Sequence, residues 1–284
     1  MPTRGYVLED VRDAPDHPGR EPVFVARRPW ARRRFVEFGD MAELRGVCAE
    51  RLGERVGAQY AALARRGFRL EPARGTTRCT LGGAARLNPG TPWPDLDGVP
   101  LSLLAVLDTE ALGGAPGLLN FFHLDPDIPY EEYQRLPAWT PQASRVIPAD
   151  PLRATETPAP TPARRYPAHP VRPTEVVMLP DCWDVPDTAL EYDPAEHWGA
   201  ASLLLDTMSG LDGNTAGTHR ALGWPDTSYA TSVMPPDSLH LLQLAEDADL
   251  GWTWGDAGTL YFTIPEKAYA EGDFSAARAE IRCC

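Results

Sequence analysis

Five side chains in the last quarter of the chain have types and spacing that could do chemistry: His219, Gln243, Trp252, Trp254 and Asp256. A histidine and a carboxylate that share a cleft form a general acid–base pair, because imidazole titrates near neutrality. Trp252 and Trp254 are two positions apart, so on an extended segment they face the same way. An aromatic wall with a few polar tips lines many small-molecule pockets. Gln243 lies in an apolar run that an antiparallel sheet would set beside the tryptophans. The plainer reading of the same residues is structural. Trp254 then packs in the core, Asp256 bonds the backbone N–H groups of its own turn, and Gln243 satisfies a buried backbone group. The two readings separate on exposure: acid–base work by His219 and Asp256 requires both to line one open cleft.

Other chemistries find less support. The six histidines are scattered, and none pairs at the i, i+4 spacing of a helical metal site. Glu246, Asp247, Asp249 and Asp256 lack the ligand spacing and central glycine of a calcium loop. There is no Gly-x-Ser-x-Gly elbow, and neither Leu81-Gly82-Gly83-Ala84 nor Gly113-Gly114 fits a phosphate-binding loop. Cys48, Cys79 and Cys182 read as reduced thiols, and Cys283-Cys284 lacks the further ligands of a zinc site. No metal and no cofactor is expected.

The elements that would position these residues are more legible, because one pattern occurs twice. Leu101-Ser102-Leu103-Leu104-Ala105-Val106 returns as Leu239-His240-Leu241-Leu242-Gln243-Leu244. Each run follows a Leu-Gly pair, Leu81-Gly82 or Leu222-Gly223. Each precedes a glycine that launches an apolar strand, at Gly117 or Gly258. Three landmarks in the same order predict a duplicated unit. Asp40, with Glu43 three residues on, predicts a capped helix from about Met41 to Arg66, stopped by Gly67. Residues 137–180 hold 11 prolines, and such a loss of N–H donors predicts a connector without a central strand. Trp252 to Trp254 and Thr259 to Ile264 both alternate around a glycine-containing turn, predicting a hairpin. The expected organisation is an N-terminal extension over 1–80, a first repeat over 81–136, the connector over 137–180 and a second repeat over 181–284, all in one compact domain.

Charge is unevenly spread over the 284 residues. The formal total is −13, yet residues 1–80 carry 16 Arg against 11 acidic groups. The remainder is strongly acidic, which disfavours nucleic acid and anionic membranes as partners and suits a basic protein or peptide. Lys267 is the sole lysine against 26 arginines, the signature of a GC-rich bacterial genome. No run approaches the ~20 apolar residues of a membrane span, and residues 1–21 lack a signal-peptide core. A cytoplasmic location is expected.

Several motifs together resemble the YwqG-like family of bacterial proteins of unknown function. In the first half these are Leu81-Gly82-Gly83, Trp93-Pro94, Gly98-Val99-Pro100-Leu101 and Gly117 through Phe121-Phe122. In the second they are His219 to Pro225, Leu241-Leu242-Gln243-Leu244, Trp254 to Gly258 and Asp273-Phe274-Ser275. The resemblance covers about residues 70–284. It implies an α+β fold with a duplicated, mainly antiparallel β-rich body. It implies no activity. On the N-terminal helix, Leu44, Val47, Cys48, Leu52, Val56, Tyr60 and Leu63 recur at helical spacing, and this one apolar stripe predicts a face packed on that body. The function expected from these features is a non-enzymatic protein- or peptide-binding module with an acidic surface, in one version neutralising a basic partner. The alternative is an enzyme or small-ligand binder with a pocket around His219, Gln243, Trp254 and Asp256.

Overall fold

The computed structural model describes residues 7–10, 24–27, 37–124, 143–208, 219–225, 234–255 and 258–283. Asp256 lies outside this set, as do Arg4, Arg12, Arg20, Arg28, Arg32, Arg33 and Arg34. Strands β1 (Val7–Asp10) and β2 (Phe24–Arg27) pair with each other, and β3 (Glu37–Phe38) leads into helix α1 (Met41–Ala61). Asp40 caps that helix as its spacing predicts, its Oδ1 accepting the N–H groups of Ala42 and Glu43 at 2.8 and 2.9 Å. Glu43 reaches back one residue beyond the cap, to the N–H of Gly39 at 3.1 Å.

The helix does not run unbroken to Arg66. Gly53 adopts φ +76°, ψ 163°, and Gly57 returns so close to Cys48 that a Cβ would lie 2.5 Å from its carbonyl oxygen. The single long helix expected from the apolar stripe is therefore two short segments folded on each other. Leu44, Cys48 and Tyr60 of the stripe are buried all the same. Gly67 does not stop a helix. It lies inside strand β4 (Arg65–Pro72), where a Cβ would sit 2.5 Å from Met178 Sδ and 3.0 Å from Leu222 O. Close approach of neighbouring strands, rather than a helix end, accounts for that glycine.

The remaining strands are β5 (Thr80–Leu81), β6 (Ala85–Leu87), β7 (Asp95–Leu96), β8 (Val99–Pro100), β9 (Ser102–Asp108), β10 (Leu118–His123), β11 (Ser144–Ala149), β12 (Thr155–Thr157) and β13 (His169–Met178). After them come α2 (Ala200–Thr207), β14 (Arg220–Leu222), β15 (Ser238–Ala245), β16 (Thr259–Pro265), α3 (Glu266–Glu271) and β17 (Arg278–Arg282). The result is a mostly antiparallel β-rich body with a few helices. Its main sheet runs β11-β10-β9-β5-β13-β4-β14-β15-β16-β17, with β3 added on the end of β13. The two leucine-rich strands, β9 and β15, stand third from either end of this path.

The proline-rich stretch was expected to hold no central strand, yet β13 lies at the middle of the sheet and contains Pro170 and Pro173. Hydrogen-bond alternation explains why Pro173 is tolerated. Val171 donates to Cys79 O on one side at 3.0 Å, so the Pro173 nitrogen faces that same side. Pairing with β5 spans only His169 and Pro170, so the donor that Pro173 lacks would have no strand to meet. The expected Trp252–Trp254 hairpin does not form either: β16 pairs with β15 and β17, and the tryptophans lie in the loop between β15 and β16.

The sheet curls until end strands β11 and β17 come within 8 Å of each other, Cα to Cα. The main core fills the curl with residues of both halves, including Leu104, Leu107, Phe121, Leu242, Leu244 and Phe262. Phe121 and Phe262 meet edge to face at 5.2 Å. A second core joins α1, α2 and residues 179–190, and a third lies beneath the short pairs β6–β12 and β7–β8.

Across the ladders, Tyr261, Gln243, Arg220, Arg69 and Thr174 stand in one row. Glu37, from β3, braces it. Its carboxylate is 2.7 Å from Arg220 Nε, a contact of charge rather than an aligned hydrogen bond, and 3.4 Å from Arg69 Nε. Arg220 is fully buried and the Glu37 side chain 6% exposed. Removing one partner of such a pair leaves a buried charge uncompensated, at a cost of about 3–5 kcal/mol. Glu37→Ala is therefore expected to lower unfolding stability by an amount on that order in urea titrations, and a change below about 1 kcal/mol would show the brace to be incidental.

Candidate functional site

The candidate residues divide between the two faces of the sheet. His219 immediately precedes β14, and its carbonyl accepts the N–H of Leu70 at 2.9 Å. Neighbouring residues of an extended chain face opposite ways. Arg220 therefore joins Gln243 in the outer row, while the His219 ring meets Trp252 edge-on within the curl at 5.5 Å. Gln243 is buried opposite Arg220 and Tyr261, in the outer row rather than in line with His219. The sheet thus separates it from the residues with which it was grouped.

The tryptophan cluster has five rings. Trp252 and Trp254 lie 5.9 Å apart, Tyr166 packs edge-on to Trp252 at 5.9 Å, and His123 packs against Trp254 at 6.2 Å. His123 belongs to the first half of the sheet and Tyr166 to the proline-rich stretch. Neither has a spacing in the sequence that could have drawn attention to it. Trp254 is fixed at both ends, its indole N–H donating to Ala245 O at 3.2 Å and its backbone N–H to Glu246 Oε1 at 3.1 Å.

Asp247 orients the histidine. Its Oδ2 is 3.1 Å from His219 Nε2, and its Oδ1 accepts the N–H groups of Asp249 and Leu250 at 2.9 and 3.2 Å. Asp247 and Trp252 also exchange both backbone hydrogen bonds, closing the loop at its base. Burial alone raises the Asp247 carboxyl. The hydrogen bonds from His219, Leu250 and Asp249 outweigh it and hold the group below the usual carboxylate range. Burial drives the His219 imidazole below its ordinary value, more than Asp247 restores it. The ring is accordingly neutral at pH 7, donating from Nε2 to Asp247, with Nδ1 left as an acceptor. Nδ1 and the nearby Trp252 Nε1 are both buried without a hydrogen-bond partner among the described residues.

An oriented Asp–His pair is the correct chemistry for a general base, but its placement is not. His219 is 7% exposed, and Trp252 and Trp254 are buried more deeply still. With the imidazole this deeply buried, the exposure that acid–base work requires is missing at His219. What the cluster does is pin the 246–255 loop to β14 and close the core. Among the described residues, no three metal-ligating side chains converge, and no helix is long and apolar enough to cross a membrane.

The buried histidines give the fold a pH dependence. Burial lowers His123 and His240 from 6.5 to about 4, and His219 shifts the same way. A depressed histidine binds fewer protons folded than unfolded between the two values, so its contribution is complete above about pH 6.5 and is lost as the pH falls toward 4. His123 and His240 each account for at most a few kcal/mol. Urea titrations are expected to show stability dropping steeply between pH 6.5 and 4, with His123→Phe flattening part of the slope. A flat profile across that window would contradict the assignment.

A comparison with known families matches residues 79–283 to a domain of unknown function, DUF1963. The match spans β5 to β17 and takes in the aromatic cluster, α2 and the polar row except for Arg69 and its brace Glu37. No curated protein matches the chain. With most of its length accounted for by that match, the chain belongs to the DUF1963 family.

Proposed function

We propose that this protein is a non-enzymatic binding module that holds a basic protein or peptide on an acidic face. The observation that carries this reading is the composition of one continuous segment. Between Arg172 and Arg220 there are nine acidic residues and no lysine or arginine. Asp187, Glu191, Asp193, Glu196 and Asp206 of that segment are exposed. A surface of one sign steers an oppositely charged partner and makes binding salt-sensitive. The burial of His219 removes support from the enzymatic alternative.

The same proposal takes the body to be two copies of one strand unit, related by a half-turn about the β4–β13 ladder. What supports this is register. Turning that ladder end for end carries Val171 onto Leu70 and Pro173 onto Pro72, and the paired positions remain paired. The bond from Val171 N to Cys79 O then falls on the bond from Leu70 N to His219 O. Gly82-Gly83 and Leu222-Gly223, two consecutive positive-φ residues in each half, coincide. So do the bulge at Leu104 and the one at Leu241, and Phe121 falls on Phe262. On this superposition Leu81 matches Ala221, one residue out of step with the match that the sequence suggests. The narrower YwqG-like assignment agrees with such a duplicated body.

The test is a titration of the intact chain with a fluorescein-labelled octa-arginine peptide, read by anisotropy. Binding in the micromolar range that weakens about 10-fold or more between 50 and 300 mM salt is expected. Neutralising Asp187, Glu191, Asp193, Glu196 and Asp206 together to their amides should abolish it. Failure of the unaltered protein to bind would overturn the reading.

A further inference from the structure

Among the described residues three large apolar side chains stand in solvent: Leu152, Trp198 and Tyr269. Tyr269 rests against Phe274 at 6.0 Å. Trp198 is different, because it is 69% exposed and bares more aromatic surface than any other described ring. A large exposed indole has no role in the core, and tryptophan is the residue type most enriched where partners bind tightly.

Trp198 is also held in place. Its ring lies on Trp183 at 6.2 Å with a tilt of 30°. Trp183 in turn packs against the core that joins α1 to α2, and its backbone N–H is tied to Asp181 Oδ1 at 3.0 Å. Immediately after Trp198 comes the start of α2, where Asp187 Oδ1 accepts the N–H of Ala200 at 2.9 Å and would lie 2.6 Å from a Cβ on Gly199. On the preceding side, His197 Nδ1 is 3.4 Å from Asp206 Oδ2. Carboxylates therefore contact the residues on either side of Trp198 in the chain, Glu196 is exposed two residues before it, and Arg55, a basic group tied to this segment, is engaged with Glu191.

An exposed indole in a segment rich in carboxylates has one well-matched guest. A cation stacked on the indole gains from the negative ring face, while the surrounding acids supply the long-range attraction. Between the two common cations, the planar and weakly hydrated guanidinium stacks on an aromatic ring better than an ammonium does. We infer that the Trp183–Trp198 pair is the docking point for an arginine side chain of the basic partner, with Asp187 and Asp206 at its rim. This rests on the binding function proposed above and names where that function is concentrated. Because Trp198 lies in an exposed bend before α2, replacing it does not disturb a packed element.

The octa-arginine titration tests this with Trp198→Ala, Trp198→Phe and the unaltered chain, beside an octa-lysine peptide. Trp198→Ala is expected to weaken octa-arginine binding about 5-fold or more, while Trp198→Phe, which keeps a ring, recovers part of the loss. Octa-lysine should bind the unaltered chain more weakly and lose less in Trp198→Ala. Quenching of the intrinsic tryptophan fluorescence on binding should disappear with the indole. If the unaltered chain binds octa-arginine but Trp198→Ala binds it equally well, the arginine dock is wrong while the acidic-face reading survives. If the unaltered chain does not bind, both fall. Binding that needs Trp198 but does not respond to salt would assign the ring to an apolar guest and overturn the cationic one.

Discussion

The ladder between β4 and β13 is the constraint on which the rest of the molecule depends. Eight consecutive residue pairs, from Val171 with Pro72 to Met178 with Arg65, set the position of everything to either side. One flank continues through β5 to the first leucine-rich strand, the other through β14 to the second. Because backbone donors alternate sides, each of the two strands offers bonds outward as well as to the other. Val171 uses one to reach Cys79 and Leu70 uses one to reach His219. His219 is thereby fixed at the backbone before its side chain makes any contact. The aromatic cluster inherits its geometry from the middle of the sheet.

That origin explains how the cluster acquires the look of a catalytic site without the access. An Asp–His pair beside two indoles would draw attention in any sequence. Here the carboxylate stitches its own turn and steadies a neutral imidazole, and the rings fill the end of the core. The polar residues on the other side of the sheet form a separate system. Gln243 belongs with Arg220, and Glu37 reaches that row from the N-terminal side, coupling β3 and the helix that follows it to the second half of the sheet.

The parts of this arrangement that were readable from sequence were the local ones. The Asp40 cap and the apolar strands launched after Gly117 and Gly258 follow from residue type and near-neighbour spacing. The misreadings share a cause, which is that the deciding contact lies far away along the chain. Gly67 resembled a helix stop because nothing near it in sequence reveals Met178 or Leu222. Pro170 and Pro173 resembled a connector because only the sheet shows on which side their missing donors fall. Gln243 was grouped with the tryptophans because alternation along one strand cannot be oriented until its neighbours are known. His123 and Tyr166 carried no signal at all. Exposure of Trp198 was equally invisible, since it depends on where the Trp183 segment packs.

The curl of the sheet has a bearing on how the molecule behaves in a crowded solution. An open sheet of this width would offer two bare edges, each a template for another chain to extend. Here β11 and β17 lie near one another, with the short turn at Phe274–Ala276 against β11. β11 also carries Pro148, and β17 alternates Arg278, Glu280 and Arg282 along its length. A strand arriving from a second molecule would meet a proline on one rim, paired charges on the other and little room between them. The geometry that encloses the core also discourages end-to-end polymerisation.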